Sequence, residues 1–485
     1  MVQPSHDPGR PKVILLTAPR DQFEPGAQAQ PVPRNAPTMA LYYLAGILRA
    51  AGYGVEAIDT AGYRAFMLDP GTRVAGALAI GISANTMNWP GALRAARAIA
   101  GLPGRPWIIL GGLHPTLFDE HALDASGADF VVRGEGEVVL PALLDLIARS
   151  GSRHSGGGGG GGDGSRHSGG RGGGGDESGE GSREKVMESA VGLAGVTVRA
   201  GGVITRGPDR PPLSPEELGA MPLPAYDLIP TGFYATIPVE ASRGCRFSCG
   251  FCSIAGRRGH RAIPFDSVVA RIREVARHRG RSTGGTLLFV DDCFTACPDM
   301  IRIAEFIAAE FPNVPLAIEA RADDLLRPGL VEALSACTVG VVQVGVECGY
   351  KDGLRRVGKG VTLERIEEAC QRLRDAGLAR VLNAAYILGF PWEGTREAVD
   401  TVCFALALGR RTGYLAQLAK WAPFPGSRFT DALGLPPDTF DTLDWLTDEG
   451  IRAKATPHLD ADDWKTVSEV TRLLKFLYSD VRVVG

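Results

Sequence analysis

Three cysteines crowd into one short stretch, SRGCRFSCGFCSIAGRRGHR (residues 242–261), as Cys245, Cys249 and Cys252. Gaps of three and then two residues place all three thiols in one tight loop. No second CxxC lies nearby to complete a four-thiolate zinc site. Three thiolates suit three corners of an iron–sulfur cluster, with the fourth iron open to a ligand that is not a protein cysteine. An open metal position is where catalysis becomes possible. Arg243, Arg246, Arg257 and Arg258 flank the loop and are expected to favour thiolates. The competing reading is a structural zinc loop that borrows Cys293 or Cys297, whose own three-residue gap repeats the first one.

Such a loop needs a scaffold. The 485 residues are enough for two or three domains. A net charge of −3 gives no general nucleic-acid footprint. Nine cysteines without a regular framework do not form the pattern of a secreted disulfide scaffold. The first apolar run is too short for a signal peptide, and no apolar stretch approaches twenty residues. The expectation is a cytoplasmic protein with no membrane span.

Residues 12–149 alternate strand-like and helix-like patterns. KVILLTA, GVEAID, GALAIGIS, PWIILGG and ADFVVRG read as buried strands, with helices such as TMALYYLAGILRAAG between them. That alternation predicts an α/β, doubly wound parallel sheet over residues 1–150, with ligands beyond the carboxyl ends of its strands. Residues 151–184 are nearly free of apolar side chains, repeat GSRHSGG, and are expected to be a disordered Gly/Ser-rich insert. Residues 185–235 read as a hairpin (GVTVRAGGVITRG) and a proline-rich linker. Six further strands, near 237–241, 286–291, 315–319, 339–346, 381–388 and 414–420, predict a partial (β/α)6 TIM-like barrel over residues 236–430. Residues 431–485 read as a short helical cap. The cysteine loop follows the first barrel strand, at its carboxyl end.

With CxxxCxxC in that place, the sequence resembles the radical S-adenosylmethionine (SAM) enzymes. The resemblance implies a [4Fe–4S] cluster on Cys245, Cys249 and Cys252, its open iron chelated by the amino and carboxylate groups of SAM. Phe251 matches the position that packs on the adenine. LLFVDDCFT offers Asp291 and Asp292 to the methionine amine, and IEARADD places Arg321 after the third strand. VGVECGYKDGLRRVGKG offers Glu347 to ribose or carboxylate. LGFPWEGTRE brings Gly389 and Pro391 near the adenine. WAPFPGS resembles the YxPxPGT stretch of the same subgroup, departing at its tryptophan and serine.

The first domain together with the barrel resembles the cobalamin-binding branch of these enzymes. GISANT supplies Ser83 and Asn85, ILGGLHPT supplies Gly111 and Gly112, and RGEGE supplies Gly134, Glu135 and Gly136. The resemblance implies that these loops hold the nucleotide tail of cobalamin. The loop after the first strand lacks DxHxxG, so no histidine is offered to the lower face of the cobalt; His114 reads as structural. A degenerate sheet domain without cofactor is the alternative.

The family resemblance implies C-methylation of an unactivated carbon in a small biosynthetic metabolite, by methylcobalamin and a 5′-deoxyadenosyl radical. It also implies an external electron donor of the flavodoxin or ferredoxin type. A cyclase or ring-rearranging enzyme without methyl transfer uses the same cofactors and stays open. A cobalamin or iron–sulfur sensor stays open too, though no output module is visible.

Overall fold

The computed structural model describes residues 10–19, 36–152, 177–254, 259–447, 459–478 and 480–484. The chain divides into two compact units: Met1–Phe23 with Ala40–Pro212, and Glu24–Met39 with Leu213–Gly485.

In the first unit the apolar runs form β1 (Lys12–Thr17), β2 (Gly54–Ile58), β3 (Ala77–Ser83), β4 (Trp107–Gly111) and β5 (Phe130–Val132). They are parallel, in the order β2-β1-β3-β4-β5. Val13 to Leu16, Trp107 to Leu110 and Phe130 to Val132 are buried without alternation, as strands covered on both faces must be. The strand order reverses between β1 and β3, the switch point where α/β sheets of this kind bind ligands.

The hairpin read from GVTVRAGGVITRG is present as β6 (Val196–Ala200) and β7 (Val203–Arg206). It extends the same sheet, antiparallel, from the edge of β5. The expected insert is shorter than its composition suggested, because a helix begins at Glu177 and runs to Ala190. Val186 and Ala190 anchor that helix in the core. The Arg183 guanidinium lies 3.9 Å over the Trp107 ring and donates to Asp129 at 2.8 Å. Residues 153–176 of the insert lie outside the described residues.

The second unit holds β8 (Thr236–Val239), β9 (Thr286–Phe289), β10 (Leu316–Ala320), β11 (Val339–Glu347), β12 (Leu382–Leu388), β13 (Leu415–Lys420) and β14 (Arg482–Val484). All are parallel and paired in chain order. The first six are the strands expected of the partial barrel. The helical cap is present as the helix Ala461–Leu477, after which the seventh strand adds an edge to β13. A three-residue strand is too brief to show a period of two, and only the free edge of β13 makes it a strand.

Burial alternates along this sheet. Val342, Val344, Leu382, Ala384, Tyr386 and Leu418 are buried under amphipathic helices such as Leu363–Asp375 and Thr395–Thr412. Gln343, Gly345, Asn383 and Ala385 are half-buried, while Glu319, Gln417 and Ala419 are exposed. One face of the sheet therefore carries the core and, among the described residues, the other is free of helices. Among the described residues, no helix is long and apolar enough to cross a membrane.

Candidate active site

The cysteine loop leaves β8 and is pinched at its base by an antiparallel pair, Ser242–Arg243 with Arg261–Ala262. Gly244, at φ +76°, lets the two sides meet there; a Cβ on it would lie 2.0 Å from the Gly259 carbonyl oxygen. Asp291 sits beneath the loop, 2% exposed. Its carboxylate accepts from the Ala241 N–H at 3.1 Å and the Ser242 hydroxyl at 2.5 Å. Burial pushes that carboxyl up to about 7, against these hydrogen bonds. Farther along, the Gly250 N–H donates to the Val357 carbonyl at 2.8 Å, tying the loop to the segment after β11.

Cys245, Cys249 and Cys252 form no disulfide, and each is half-exposed. Burial raises the Cys245 thiol, with Arg321 acting to lower it and Asp292 to raise it. Among the described residues, no three potential ligands converge as they would on a single metal ion. Cys293 and Cys297, the partners required by the zinc reading, are buried, and burial pushes both thiols up to about 12. Cys293 is engaged by the Thr295 hydroxyl at 3.5 Å and by Asp324 at 3.7 Å.

Two of the expected cations are engaged by carboxylates. Arg243 is committed to Glu240 at 2.7 Å and Arg246 to Asp324 at 2.5 Å. Arg257 and Arg258 lie outside the described residues. Arg321, itself paired with Asp323 at 3.0 Å, acts on Cys245, and Lys359 is acted on by Cys249. The Arg321 guanidinium lies 3.4 Å over the Phe247 ring and donates to the Lys359 carbonyl. The Lys359 ammonium, 6% exposed as a residue, sits 2.8 Å from a Glu347 carboxylate oxygen. Burial would push that ammonium down, but the Glu347 and Cys249 charges outweigh it and its affinity for a proton rises.

Glu347 has a left-handed φ of +71° where the register of β11 shifts. A Cβ on Gly345 would lie 2.4 Å from Glu347 Oε1 and 2.8 Å from Lys359 Nζ, so this glycine makes room for the ion pair on the helix-free face. Lys359 was missed in the sequence. Its signal was the flanking glycines, Gly358 and Gly360, both at positive φ.

Asp292 is exposed, in contrast to Asp291. Phe251 joins an aromatic group with Phe390, 5.8 Å between centroids, and Phe390 stacks on Trp392. Gly389, at φ +82°, is covered by the Trp464 ring, 2.6 Å from where a Cβ would stand. Its N–H donates to Glu393, which also receives the Phe390 N–H and the Tyr350 hydroxyl and so fixes the loop around Pro391. Glu393 is fully buried, and burial pushes it up to about 7.

In the first unit, the loop after β3 is locked by its own amides. Asn85 Oδ1 accepts from the Met87 N–H at 2.9 Å, and Asn88 Oδ1 from the Asn85 N–H at 2.7 Å. Asn88 also donates to the Thr17 hydroxyl and the Ala18 carbonyl, both at 3.2 Å, joining the ends of β1 and β3. Ser83 ends β3 opposite Gly111. Gly112, at φ +94°, passes so near Ala84 that a Cβ would be 2.4 Å from its carbonyl oxygen. The Gly134 N–H donates to the Thr116 hydroxyl at 2.9 Å, and Glu135 and Gly136 follow half-buried. His114 is fully buried and stacks on Trp89 at 4.6 Å. Burial lowers it to about 3, so it is a neutral core ring.

These sites fit the groups expected of them. Three thiols outside any disulfide, in one half-exposed loop with Arg321 and Lys359 beside them, suit an anionic iron–sulfur cluster. Asp292, Glu347 and Arg321 supply both charges needed for an amino acid moiety. The described loop after β3 and the glycine pair after β4 are small and uncharged, which leaves room for a bulky nucleotide tail. A parallel barrel with this loop defines a radical SAM protein. Residues 239–402 match the radical SAM superfamily and residues 29–144 match the B12 binding domain. The chain is a cobalamin-dependent radical SAM enzyme.

Among curated proteins, the chain is 25% identical over 356 residues to an uncharacterized methyltransferase of Pyrococcus horikoshii, covering 72% of this chain and 68% of the relative. It is 24% identical over 345 residues to the anaerobic magnesium-protoporphyrin IX monomethyl ester cyclase of Rubrivivax gelatinosus, covering 69% of this chain but only 54% of the cyclase. The fold is similar to that of TsrM from Kitasatospora setae, a radical SAM methyltransferase solved with cobalamin and a [4Fe–4S] cluster. That match has a TM-score of 0.62 at 14% identity and covers 87% of this chain and 78% of TsrM.

Proposed function

We propose that the protein is a C-methyltransferase acting on an unactivated carbon of a small biosynthetic metabolite. The observation that carries this reading is the alignment to a methyltransferase across 72% of the chain. When bound, the cluster with SAM supplies a carbon-centred radical and cobalamin supplies a methyl carrier. The chain's part is positioning. Cys245, Cys249 and Cys252 hold the cluster, while Arg321 and Lys359 balance its charge. Asp292 and Glu347 orient the methionine end of SAM, with Asp291 shaping the loop from below. Phe251 meets the adenine, and Gly389 keeps the facing backbone close. Ser83, Asn85, Gly111, Gly112 and the turn at Gly134, Glu135 and Gly136 hold the cobalamin tail. The buried His114 stays off the cobalt. A one-electron donor of the flavodoxin or ferredoxin type supplies the reducing equivalent.

Similarity to the cyclase favours a second reading, ring formation without methyl transfer. Stoichiometry separates the two. Methyl-labelled SAM is supplied with substrate under anaerobic, reducing conditions. Methylation is expected to give labelled product with matched yields of S-adenosylhomocysteine and 5′-deoxyadenosine. Product formed with 5′-deoxyadenosine alone, and no label, favours ring formation.

A further inference from the structure

The helix-free face of the second sheet carries polar side chains that holding the cofactors does not use. Glu319 on β10 is in register with Gln343 on β11, and Gln343 with Asn383 on β12. The Gln343 amide reaches across β12 and donates to the Gln417 carbonyl oxygen on β13 at 2.9 Å. Closed parallel barrels fill this face with branched apolar residues. Here Ala385 and Ala419 leave room beside the Glu347–Lys359 pair, and Glu319 and Gln417 remain exposed.

The charges there do not balance. Lys359, the cation acting on Glu319, is held by Glu347. Among the described residues, Glu319 itself has no ion-pair partner. Glu319 is open to solvent on this face, but the protein atoms around its carboxyl strip part of its hydration and raise it to about 7; the like charge of Glu347 adds to this and Lys359 opposes it. A ligand that completes this surface must bring N–H donors and a positive charge. A hydrocarbon would leave the amides and the carboxyl unsatisfied, and an anion would be repelled.

We propose that Glu319, Gln343 and Gln417 form the floor of the substrate chamber and select a polar substrate bearing a basic amine. The inference rests on the radical SAM reading for what the chamber serves, and on the sheet alone for its selectivity.

The test uses the full-length, anaerobically reconstituted protein and four probes of one shape: phenethylamine, N-acetylphenethylamine, 3-phenylpropionate and propylbenzene. Calorimetry is expected to rank phenethylamine at least about tenfold above the other three. Its affinity is expected to rise with pH across about 6 to 8, as Glu319 gains its charge. In Glu319→Gln both the preference and the pH dependence should disappear. Gln417→Leu, a second variant, should weaken phenethylamine and N-acetylphenethylamine together. Equal binding of all probes, no binding, tighter binding of the carboxylate or the hydrocarbon, or a preference that survives Glu319→Gln would overturn the proposal. Iron content and SAM binding of the wild type are read in parallel. Their loss sinks the radical SAM reading, while their presence beside a missing amine preference sinks only this inference.

Discussion

The two sheets of this protein are both built on parallel strands, the first with an antiparallel hairpin at its edge, yet they offer ligands different surfaces. In the first unit β4 (WIILG) is buried from Trp107 to Leu110, so only the carboxyl edge of the sheet remains available. The loops at that edge are set by neutral contacts, the Asn85–Asn88 lock and the close pass of Gly112 over Ala84. In the second unit β12 (LNAAYIL) alternates strictly between buried and half-buried, so a whole face stays open. The Glu347–Lys359 pair lies on that face, over a glycine. A sheet wrapped on both sides recognises with backbone and amides at its edge. A sheet wrapped on one side has room for charge, and must balance it internally.

The comparison breaks most visibly at the thiols. Cys245→Ala, Cys249→Ala and Cys252→Ala are each expected to abolish iron incorporation on anaerobic reconstitution, because no other thiol shares the loop. Cys293→Ala and Cys297→Ala should retain full iron content, since both thiols sit in the core. Iron assays on the five variants decide the point. Full iron in any of the first three, or loss in either of the last two, would return the zinc or shared-ligand readings. None of these changes should alter cobalamin binding by the first unit.

Charge balance in the second unit gives the next largest effect. Lys359→Met leaves Glu347 buried without its cation, and breaking a buried pair from one side costs about 3 kcal/mol or more. Gly345→Ala is expected to do comparable damage with both partners intact, because its methyl group enters the space of the carboxylate and ammonium. Urea denaturation monitored by circular dichroism measures both. A loss well under 1 kcal/mol in both variants would show that the pair is solvated and that the open face carries no stored charge.

What the sequence disclosed follows the same division. Continuous apolar runs and regular alternation gave every strand from β1 to β13, since periodicity is a local property. The cysteine loop was legible because its chemistry is written in adjacent residues. Lys359, Asn88, Glu393 and Trp464 were not, because each acts on a partner brought near only by the fold. Arg243 and Arg246 misled for the same reason: adjacency to the thiols said nothing about the carboxylates that claim them. β14 was invisible for want of length, and the helix Glu177–Ala190 was hidden by glycines and serines at its start.

That helix sets up the smallest and most discriminating pair of variants. Arg183→Ala removes the guanidinium from the Trp107 ring and from Asp129. Asp129 keeps Arg105 at 2.6 Å, so no buried charge is orphaned. The Arg183 side chain is also 28% exposed, which weakens its ion pair. With the ring contact worth about 0.5–1 kcal/mol, the expected loss is about 1 kcal/mol. Deleting residues 154–170 acts in the opposite direction. It shortens the connection between Ser152 and Glu177 roughly threefold, and closure entropy varies only with the logarithm of length, so stability should rise by about 1 kcal/mol or less. Thermal unfolding of the two variants therefore separates the parts of the expected insert by sign: down for the residue that packs on β4, level or up for the glycine tract. A deletion that lowered stability or cobalamin binding would show that the tract belongs to the first unit's edge site. A neutral Arg183→Ala would instead move the insert's end past the start of the helix, to the buried Val186.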